Sequence, residues 1–197
     1  MEPSHPGQPE FWDTRYHAGQ TPWDFGGVPH RLQKFLQAHP HGGSVLIPGC
    51  GLGHEIEAFI ASGYRVTAVD FSRAAVEQAR QRLDARHAER VLLGDFFHHD
   101  FSDAPFDLVY ERTFFCAIPP AQRRVYVQRM AQLLKPGGSL VGLFYFGTDR
   151  DGPPYALNPA DEGALFHPQF VTVRSEDVAD SQPLFAGKER WQERRRA

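Results

Sequence analysis

The sequence predicts an α/β fold built on a doubly wound, mostly parallel sheet. Five short apolar runs recur along the chain, and they are too continuous in apolar residues for a sheet with one face in water. Segments with the apolar spacing of amphipathic helices lie between these runs. Strands that alternate with helices form an open sheet of parallel strands, with helices packed on both of its faces.

The predicted elements follow one another in a regular order. The predicted strands are residues 44–47, 65–69, 91–93, 107–110 and 140–146. Helical spacing of apolar residues is found at Leu32, Phe35 and Leu36; at Ile56, Phe59 and Ile60; at Val76, Ala79 and Leu83; and at Tyr126, Met130, Leu133 and Leu134. Ser72 is the candidate N-cap of the third helix, and the stretch KPGG, residues 135–138, is the candidate stop of the fourth.

Length and composition indicate one globular domain that acts on small molecules. The chain has 197 residues, of which 41% are hydrophobic, and this is enough for a full core. Residues 1–10 are rich in proline and are predicted to be disordered, so the predicted domain covers residues 11–197. The net charge of -3 supplies no basic field, which argues against nucleic acid and anionic membranes as partners.

Three features of the sequence predict a cytoplasmic protein. No apolar run approaches the roughly 20 residues that span a bilayer. The opening stretch MEPSHPGQPE has neither the basic nor the apolar region of a secretory signal. Cys50 and Cys116 are far apart in sequence and suggest no disulfide framework, which suits a reducing compartment. A monomer or a weak homodimer is expected.

The stretch VLIPGCGLGHE, residues 45–55, predicts a ligand site at the end of the first strand. In such folds glycines at this turn let main-chain N–H groups approach a ligand at the start of the next helix. A dinucleotide fingerprint needs G-x-G-x-x-G, but His54 and Ile56 stand where the third glycine would be, which disfavours a nicotinamide oxidoreductase. The remaining G-x-G-x-G pattern suits a ligand with an amino acid part and no pyrophosphate, such as S-adenosylmethionine.

Two acidic residues after the next two strands extend this predicted site. Asp70 ends the second strand, where a carboxylate would accept hydrogen bonds from both ribose hydroxyls; alternatively, it caps the helix that starts near Ser72. Asp95 lies in GDFF, residues 94–97, where it would accept a hydrogen bond from the adenine amino group while Phe96 flanks the ring. Alternatively, Asp95 only forms a turn.

The motifs TPWDFGG, PGCGLGHE, FFCAI and LLKPGG are similar to those of the thiopurine S-methyltransferase superfamily. The resemblance runs from about Phe11 to the C-terminus and is nearest to the halide, thiocyanate and thiol methyltransferases. It implies the Rossmann-like fold of S-adenosylmethionine methyltransferases, with seven strands of which the last is antiparallel, and an N-terminal lid segment over the methyl donor. It also makes GKERWQERRR, residues 187–196, the last strand and a tail, although such a charge run alone could contact nucleic acid.

The resemblance further implies which residues form the site. The residues expected to bind S-adenosylmethionine are Trp12, Tyr16, Trp23, Gly49, Cys50, Gly51, Asp70, Phe71, Asp95, Phe96 and Glu111. The residues expected to contact the acceptor are Trp23, Arg112, Phe115, Cys116 and Tyr145. Arg112 matches an arginine near the transferring methyl group, and it is expected to attract an anionic acceptor and to lower the pKa of a thiol acceptor. Alternatively, Arg112 only pairs with a surface acid.

The predicted reaction moves a methyl group to a small soft nucleophile, namely a thiol, hydrosulfide, thiocyanate or a halide, and leaves S-adenosylhomocysteine. Where thiopurine enzymes have DRGAL, this chain has ERTFF followed by CAI, as in the halide and thiol branch. Such a nucleophile needs no general base, so the expected work is alignment and desolvation by the aromatic residues Trp12, Trp23, Phe114 and Phe115. A thiopurine-type methyltransferase of aromatic thiols and a non-catalytic S-adenosylmethionine-binding protein are the alternatives. No metal site is expected, because no i, i+4 pair of histidines lies with a third ligand on one element.

Overall fold

The computed structural model of the protein describes residues 5–40, 42–148 and 151–197, which contain one seven-stranded sheet and six α-helices. The strands are β1 (Ser44–Pro48), β2 (Arg65–Asp70), β3 (Val91–Leu93), β4 (Phe106–Arg112), β5 (Leu134–Tyr145), β6 (Phe170–Asp177) and β7 (Glu189–Arg196). The helices are α1 (Pro9–His17), α2 (His30–Ala38), α3 (Ile56–Ala61), α4 (Arg73–Arg82), α5 (Arg123–Leu133) and α6 (Pro159–Phe166). None of the helices in these ranges combines the length and the apolar character of a membrane span.

The strand order across the sheet is β3-β2-β1-β4-β5-β7-β6. Strands β1 to β5 pair in parallel, and β7 is antiparallel to both of its neighbours. The order reverses between β1 and β4, where Val45 pairs with Leu108. Loops diverge from such a point, so a crevice forms at the carboxyl ends of the strands. The mostly parallel sheet with seven strands and an antiparallel last strand confirms the predicted fold class.

The core consists of two apolar layers, one on each face of the sheet. Val45 and Ile47 of β1 belong to the cluster that α2, α3 and α4 complete, whereas Leu46 belongs to the cluster with residues of α5 and α6. Successive side chains of a strand point to opposite faces, so neighbouring residues enter opposite layers. The continuous apolar runs of the sequence are therefore buried on both sides, as a doubly wound sheet requires.

Two elements on the β5 side of the sheet differ from the sequence prediction. Helix α5 ends at Leu133, and Leu134 pairs with Phe106 as the first residue of β5, so the stretch KPGG lies inside a strand. Leu134 continues the helical spacing of α5, but its side chain is buried equally well in the sheet, and the pairing with β4 decides its conformation. Strand β6 was not predicted, because it lies at the sheet edge and exposes most of its residues.

Strand β7 is rich in charged residues and yet largely buried, because it lies between β5 and β6. Arg194 has no exposed surface, and its guanidinium lies 4.3 Å from the ring centre of Phe144 and 3.8 Å from that of Phe166. Its Nη2 donates to Oε1 of Glu162 on α6 at 2.8 Å. Burial lowers the pKa of Arg194 to about 10. The ion pair and the aromatic rings compensate for burying this charge, so the run is a strand, as the resemblance implied.

The helical part of the N-terminal segment begins before residue 11, where the sequence predicts the domain to start. Residues 1–4 of the predicted disordered segment lie outside the described residues. Pro9 and Glu10 form the first turn of α1, a position that proline favours, so the helix begins two residues before the predicted start of the domain. Trp12 Nε1 donates to the main-chain oxygen of Pro6 at 2.7 Å, which folds the residues before the helix back onto it.

Candidate active site

Two adjoining cavities lie at the carboxyl ends of β1, β2, β3 and β4. The larger has a volume of about 1080 Å³ and extends from the loops after β2 and β3 to segments 152–155 and 184–185. The smaller has a volume of about 50 Å³ and lies between the loop after β1, the N-terminal segment and the end of β4. Tyr16, Trp23, Gly49 and Thr113 line both cavities. The fold class predicts a ligand at this edge of the sheet.

The structure brings most of the predicted site residues to these cavities. The larger cavity is lined by Trp12, Tyr16, Trp23, Gly49, Asp70, Phe71, Asp95, Phe96 and Cys116. The smaller cavity is lined by Tyr16, Trp23, Gly49, Cys50, Gly51 and Arg112. Three further predicted residues, Glu111, Phe115 and Tyr145, belong to the lining of neither cavity.

Three glycines shape the loop between β1 and α3. Gly49, Gly51 and Gly53 have φ angles of 57°, 52° and 67°, a conformation that L side chains rarely adopt. A Cβ on Gly49 would lie 2.5 Å from the ring of Phe114, and a Cβ on Gly51 would lie 2.8 Å from the hydroxyl of Tyr16. The loop therefore needs glycine both for its backbone turn and for its close contact with two walls of the cavities.

Asp70 ends β2 with its carboxylate buried beside the larger cavity. Its Oδ2 accepts a hydrogen bond from Gly51 N at 2.9 Å, and its Oδ1 accepts one from Ser72 N at 2.9 Å. Each oxygen keeps a lone pair that these two bonds do not use, so a ligand could donate further hydrogen bonds to it. Burial raises the pKa of Asp70 to about 6, although both main-chain bonds favour the charged form. The cap of α4 is Ser72, whose Oγ accepts from Ala75 N, and not Asp70 as the alternative interpretation had it.

Asp95 lines the larger cavity and also forms a turn. Its Oδ1 accepts a hydrogen bond from Phe97 N at 3.0 Å, and its Oδ2 lies within hydrogen-bond distance of His98 Nδ1. The turn that the alternative interpretation proposed is thus present, and Phe96 and Phe97 both line the cavity beside it. Phe96 packs edge-on against Phe114, with 5.3 Å between ring centres. The loop after β3 therefore supplies both an acceptor oxygen and an aromatic wall.

The N-terminal segment closes one side of the cavities with three aromatic residues. Trp23 lies edge-on to Trp12 and Tyr16, with ring centres 5.4 Å and 6.0 Å apart. Asp13 connects this segment to the start of α4, because its Oδ1 accepts from Ser72 Oγ at 2.6 Å and from a main-chain N–H of α4 at 3.0 Å. The segment is therefore held by α4, the helix that follows Asp70 and Ser72 in the chain.

Arg112 lies in the smaller cavity, opposite an acid. Its Nη1 is 3.9 Å from Glu55 Oε1, and its guanidinium carbon is 4.8 Å from the ring centre of Phe25. Within the described residues Arg112 Nε and Tyr110 Oη are buried without a hydrogen-bond partner. Burial raises the pKa of Glu55, and the charge of Arg112 opposes this effect. The smaller cavity thus contains a cation, an acid and an unpaired hydroxyl.

Glu55 and Tyr110 in the smaller cavity, and Asp13 beside the start of α4, are among the residues that were not identified from the sequence. Glu55 ends the motif PGCGLGHE, and Tyr110 lies two residues before Arg112, on the same face of β4. Strand alternation was therefore a signal that could have found Tyr110. Asp13 carries no such signal, because only the packing of α1 against α4 gives its carboxylate a partner.

Glu111, which the sequence predicts to bind the cofactor, lies in the core and lines neither cavity. Glu111 has no exposed surface, and its carboxylate accepts hydrogen bonds from two main-chain N–H groups and from the hydroxyl of Tyr126. Tyr110 and Arg112 line the smaller cavity, so Glu111 between them points to the opposite face of β4. Glu111 and Arg112 could not both face the same cavity.

Two residues predicted to contact the acceptor also lie in the core. Phe115 packs against Tyr126, with ring centres 5.1 Å apart, whereas its neighbour Phe114 lines the larger cavity. Adjacent side chains leave the main chain in different directions, so only one of the two phenylalanines forms the wall. Tyr145 packs against Phe185, with ring centres 5.3 Å apart, behind the cavity lining.

Cys116 lines the larger cavity as a neutral thiol. Its Sγ donates to the main-chain oxygen of Thr113 at 3.3 Å. Burial raises the pKa of Cys116 well above the ordinary value of a thiol, and the nearby Glu111 adds to this effect. A thiol of this kind does not ionise near neutral pH, so Cys116 contributes a wall rather than a nucleophile or a base.

Comparison with known proteins identifies the family. The family described as Thiopurine S-methyltransferase (TPMT) matches residues 7–196 of the chain. The chain is 34% identical over 155 residues to Probable thiol methyltransferase 2 of Arabidopsis thaliana, which covers 76% of this chain and 68% of the plant protein. It is 32% identical over 190 residues to Thiocyanate methyltransferase 1 of Brassica oleracea, which covers 91% of this chain and 83% of that protein.

A solved structure shows the same fold at lower sequence identity. It is 1,6-didemethyltoxoflavin-N1-methyltransferase of Burkholderia thailandensis with bound 1,6-didemethyltoxoflavin and S-adenosylhomocysteine. The TM-score is 0.78 at 22% identity, over 96% of this chain and 87% of that one. The residues present here fit S-adenosylmethionine, because a buried carboxylate with free lone pairs and a glycine loop that a Cβ would fill lie together at the switch point. The chain belongs to the thiopurine S-methyltransferase family and is an S-adenosylmethionine-dependent methyltransferase.

Proposed function

We propose that this protein transfers the methyl group of S-adenosylmethionine to the sulfur of a small apolar thiol. The observation that carries the acceptor class is the wall of the larger cavity next to Cys116, where Tyr155 N donates to Cys116 O at 2.7 Å. This part of the wall consists mainly of Ala117, Ile118, Pro119, Pro153, Pro154, Tyr155, Leu184 and Phe185. Among the described residues no lysine or arginine contributes to it, so it favours an organic group over an inorganic anion.

The donor is proposed to occupy the other side of the larger cavity and to extend into the smaller one. Asp70 accepts hydrogen bonds from the ribose hydroxyls, and Asp95 accepts one from the adenine amino group, with Phe96 beside the ring. The smaller cavity has room for only a few atoms and contains opposite charges on Arg112 and Glu55. These charges suit the carboxylate and the ammonium group of an amino acid.

In this assignment Arg112 binds the donor and not the acceptor. The sequence interpretation expected Arg112 to attract an anionic acceptor. Its guanidinium lines the smaller cavity together with Gly51 and Glu55 of the glycine loop, and it is not part of the wall next to Cys116. An acceptor at that wall is then recognised by apolar contact and shape rather than by charge.

In this reaction the protein aligns the two reactants and excludes water from them. S-adenosylmethionine, when bound, would supply a methyl group on a positively charged sulfur: a thiolate would form the new S–C bond in line as the old bond breaks, and S-adenosylhomocysteine would be the leaving group. Trp12, Trp23 and Phe114 offer aromatic faces, each of which contributes about 0.5–2 kcal/mol toward a nearby cation. The apolar wall keeps water from the thiolate and so leaves it more reactive. No residue of this wall has to move a proton, because the thiol ionises in solution.

We also propose the domain extent, the cellular compartment and the assembly state of the enzyme. Residues 11–197 are proposed to act as one domain in the cytoplasm, which the free cysteines Cys50 and Cys116 support. A monomer or a weak homodimer is proposed as the assembly state. Light scattering coupled to size-exclusion chromatography measures the assembly state directly.

The test of the function is a panel of acceptors at saturating S-adenosylmethionine, with S-adenosylhomocysteine measured as the product. The panel contains ethanethiol, benzenethiol, 6-mercaptopurine, hydrosulfide, thiocyanate and iodide. We expect the highest kcat/KM for an apolar thiol, with the bulkier aromatic thiols accepted because the cavity has room for them beside the donor. Control reactions without protein correct for spontaneous methylation.

Two outcomes would contradict the proposal in different ways. Thiocyanate or iodide as the best acceptor would show that the apolar wall does not select the substrate and would support an inorganic anion. Binding of S-adenosylhomocysteine without turnover of any acceptor would support the non-catalytic alternative.

A further inference from the structure

The loop after β4 contains a backbone conformation that its residue type disfavours. Thr113 has a φ of 59°, and it is the non-glycine residue with positive φ in the part of the chain that the structure describes. A β-branched residue rarely adopts this left-handed conformation, because its side chain crowds the main chain. Such a residue persists only where the surrounding contacts impose it.

Glu111 supplies contacts that impose this conformation. Its Oε1 accepts hydrogen bonds from Phe114 N at 3.0 Å and from Phe115 N at 2.8 Å, so one oxygen binds the two residues that follow Thr113. Its Oε2 accepts from the hydroxyl of Tyr126 on α5 at 2.6 Å. The carboxylate is therefore held from α5 and itself holds the turn.

The loop that this turn begins forms a wall for both the donor and the acceptor. Thr113 lies where the two cavities adjoin. Phe114 lies so close to the glycine loop that a Cβ on Gly49 would be 2.5 Å from its ring. Cys116 and the residues after it line the proposed acceptor wall. A change in the backbone at Thr113 would therefore move Thr113, Phe114 and the acceptor wall that begins at Cys116 at the same time.

We propose that Glu111 is a positioning residue that holds Thr113 in its left-handed conformation and so aligns the acceptor wall with the donor. This inference rests on the proposed function, and Glu111 acts on the reaction only through the loop. Glu111 makes its hydrogen bonds to Phe114, Phe115 and Tyr126, and not to Asp70 or Asp95. Donor binding therefore depends on Glu111 much less than turnover does.

The test pairs Glu111→Gln with Thr113→Gly. A glutamine has nearly the same shape, but its neutral amide oxygen accepts more weakly than a carboxylate from the two main-chain N–H groups, and its NH₂ group would have to donate to the hydroxyl of Tyr126 instead of accepting from it. We expect the kcat for a thiol acceptor to fall about ten- to a hundredfold in Glu111→Gln, while the Kd for S-adenosylhomocysteine changes less than about threefold. Glycine adopts a positive φ without strain, so Thr113→Gly combined with Glu111→Gln should recover at least about half of the lost activity on a logarithmic scale.

Two further variants separate positioning from simple loss of stability. Glu162→Gln removes the negative charge that faces the buried Arg194 and should lower the Tm without changing kcat. Tyr126→Phe keeps the core packed but frees Oε2 of Glu111, and it should reduce kcat less than Glu111→Gln does, with the same recovery by Thr113→Gly. It serves as the second test if Glu111→Gln does not fold.

Hydrogen exchange at Phe114 N and Phe115 N gives a readout that does not depend on turnover. Both amides should exchange faster in Glu111→Gln than in the wild type. In Glu162→Gln their exchange rates should equal those of the wild type. Normal exchange at these amides in Glu111→Gln, or failure of Thr113→Gly to recover any activity, would overturn the positioning role. If the wild type methylates no acceptor, the proposed function fails, and the exchange rates still decide the role of Glu111.

Discussion

Asp70 at the end of β2 and Glu111 near the end of β4 are buried carboxylates that each accept two main-chain hydrogen bonds. Burial raises the pKa of Asp70 to about 6 and that of Glu111 to about 7. Asp70 uses one lone pair of each oxygen and lines the larger cavity. Glu111 accepts both main-chain bonds on one oxygen, and Tyr126 occupies the other.

The difference between these two acids shows what a strand-end carboxylate needs in order to meet a ligand. Similar residue types at similar positions in the fold have similar local bonds and similar desolvation. Their proposed functions differ because the side chain of Asp70 reaches the crevice, whereas Arg112 lies on the cavity face of β4 and Glu111 therefore lies on the other face. We expect experiments on Asp70 to change donor binding and experiments on Glu111 to change the loop.

The largest expected effect is the pH dependence of stability that Glu111 contributes. Its folded pKa of about 7 lies above its ordinary value of 4.5, so the fold binds the proton more tightly than the unfolded chain does. This contribution is fully present below about pH 4.5 and is lost as the pH rises through about 7. The wild type should therefore lose up to about 3 kcal/mol of unfolding free energy relative to Glu111→Gln over this range.

Urea denaturation of both proteins between about pH 5 and pH 8 measures this difference. The wild type compared with Asp70→Asn should show the same trend, with the stability contribution of Asp70 lost as the pH rises through about 6. Parallel stability curves for the wild type and Glu111→Gln would contradict the assignment of a neutral, protonated Glu111 at low pH.

The second expected effect separates the two acids by ligand binding. Asp70→Asn removes the proposed charged acceptor of the two ribose hydroxyls and should weaken S-adenosylhomocysteine binding by about 1–3 kcal/mol, or roughly five- to a hundredfold. Glu111→Gln is the matched control, because it changes a carboxylate to an amide at a strand end outside both cavities. Calorimetry that gives Asp70→Asn the same affinity as this control would remove the ribose role.

The third prediction concerns Arg112, which shares β4 with Glu111 but faces the smaller cavity. If Arg112 binds the carboxylate of the donor, Arg112→Met should weaken S-adenosylhomocysteine binding about tenfold. At saturating S-adenosylmethionine the kcat for a thiol should fall less than this. Unchanged donor affinity together with a large loss of thiocyanate methylation would return Arg112 to the acceptor.

The smallest expected effect concerns the N-terminal segment that covers Asp70 but not Glu111. Ligand binding should protect residues 11–27 from limited proteolysis by a few-fold, because it favours the closed state of the segment. Asp13→Asn weakens the contact with Ser72 and α4, and it should raise the cleavage rate of the free protein. Cleavage at residues 11–27 that is equally fast with and without S-adenosylhomocysteine would argue against a lid.

Much of the fold and the centre of the site could be predicted from local patterns. Continuous apolar runs separated by helical spacing indicate a sheet that is buried on both faces, and the structure confirms this prediction. The glycine loop and Asp70 stand at fixed places relative to the strands, so the topology alone brings them to one crevice. Strand β6 escaped prediction, because an exposed edge strand has no buried face to mark in the sequence.

The alternation of elements, the glycine turn and the family can be recognised from the amino-acid sequence, since these depend on residues that are close together in the chain. The folded structure is needed to know which of Phe114 and Phe115 faces the cavity, which face of β4 carries Glu111, and that Arg194 is buried. The partners concerned are Tyr126, Phe144 and Glu162, which are distant in sequence. Local spacing specifies that a side chain is apolar or charged, but the free energy of burying a charge depends on partners that only the folded chain brings together.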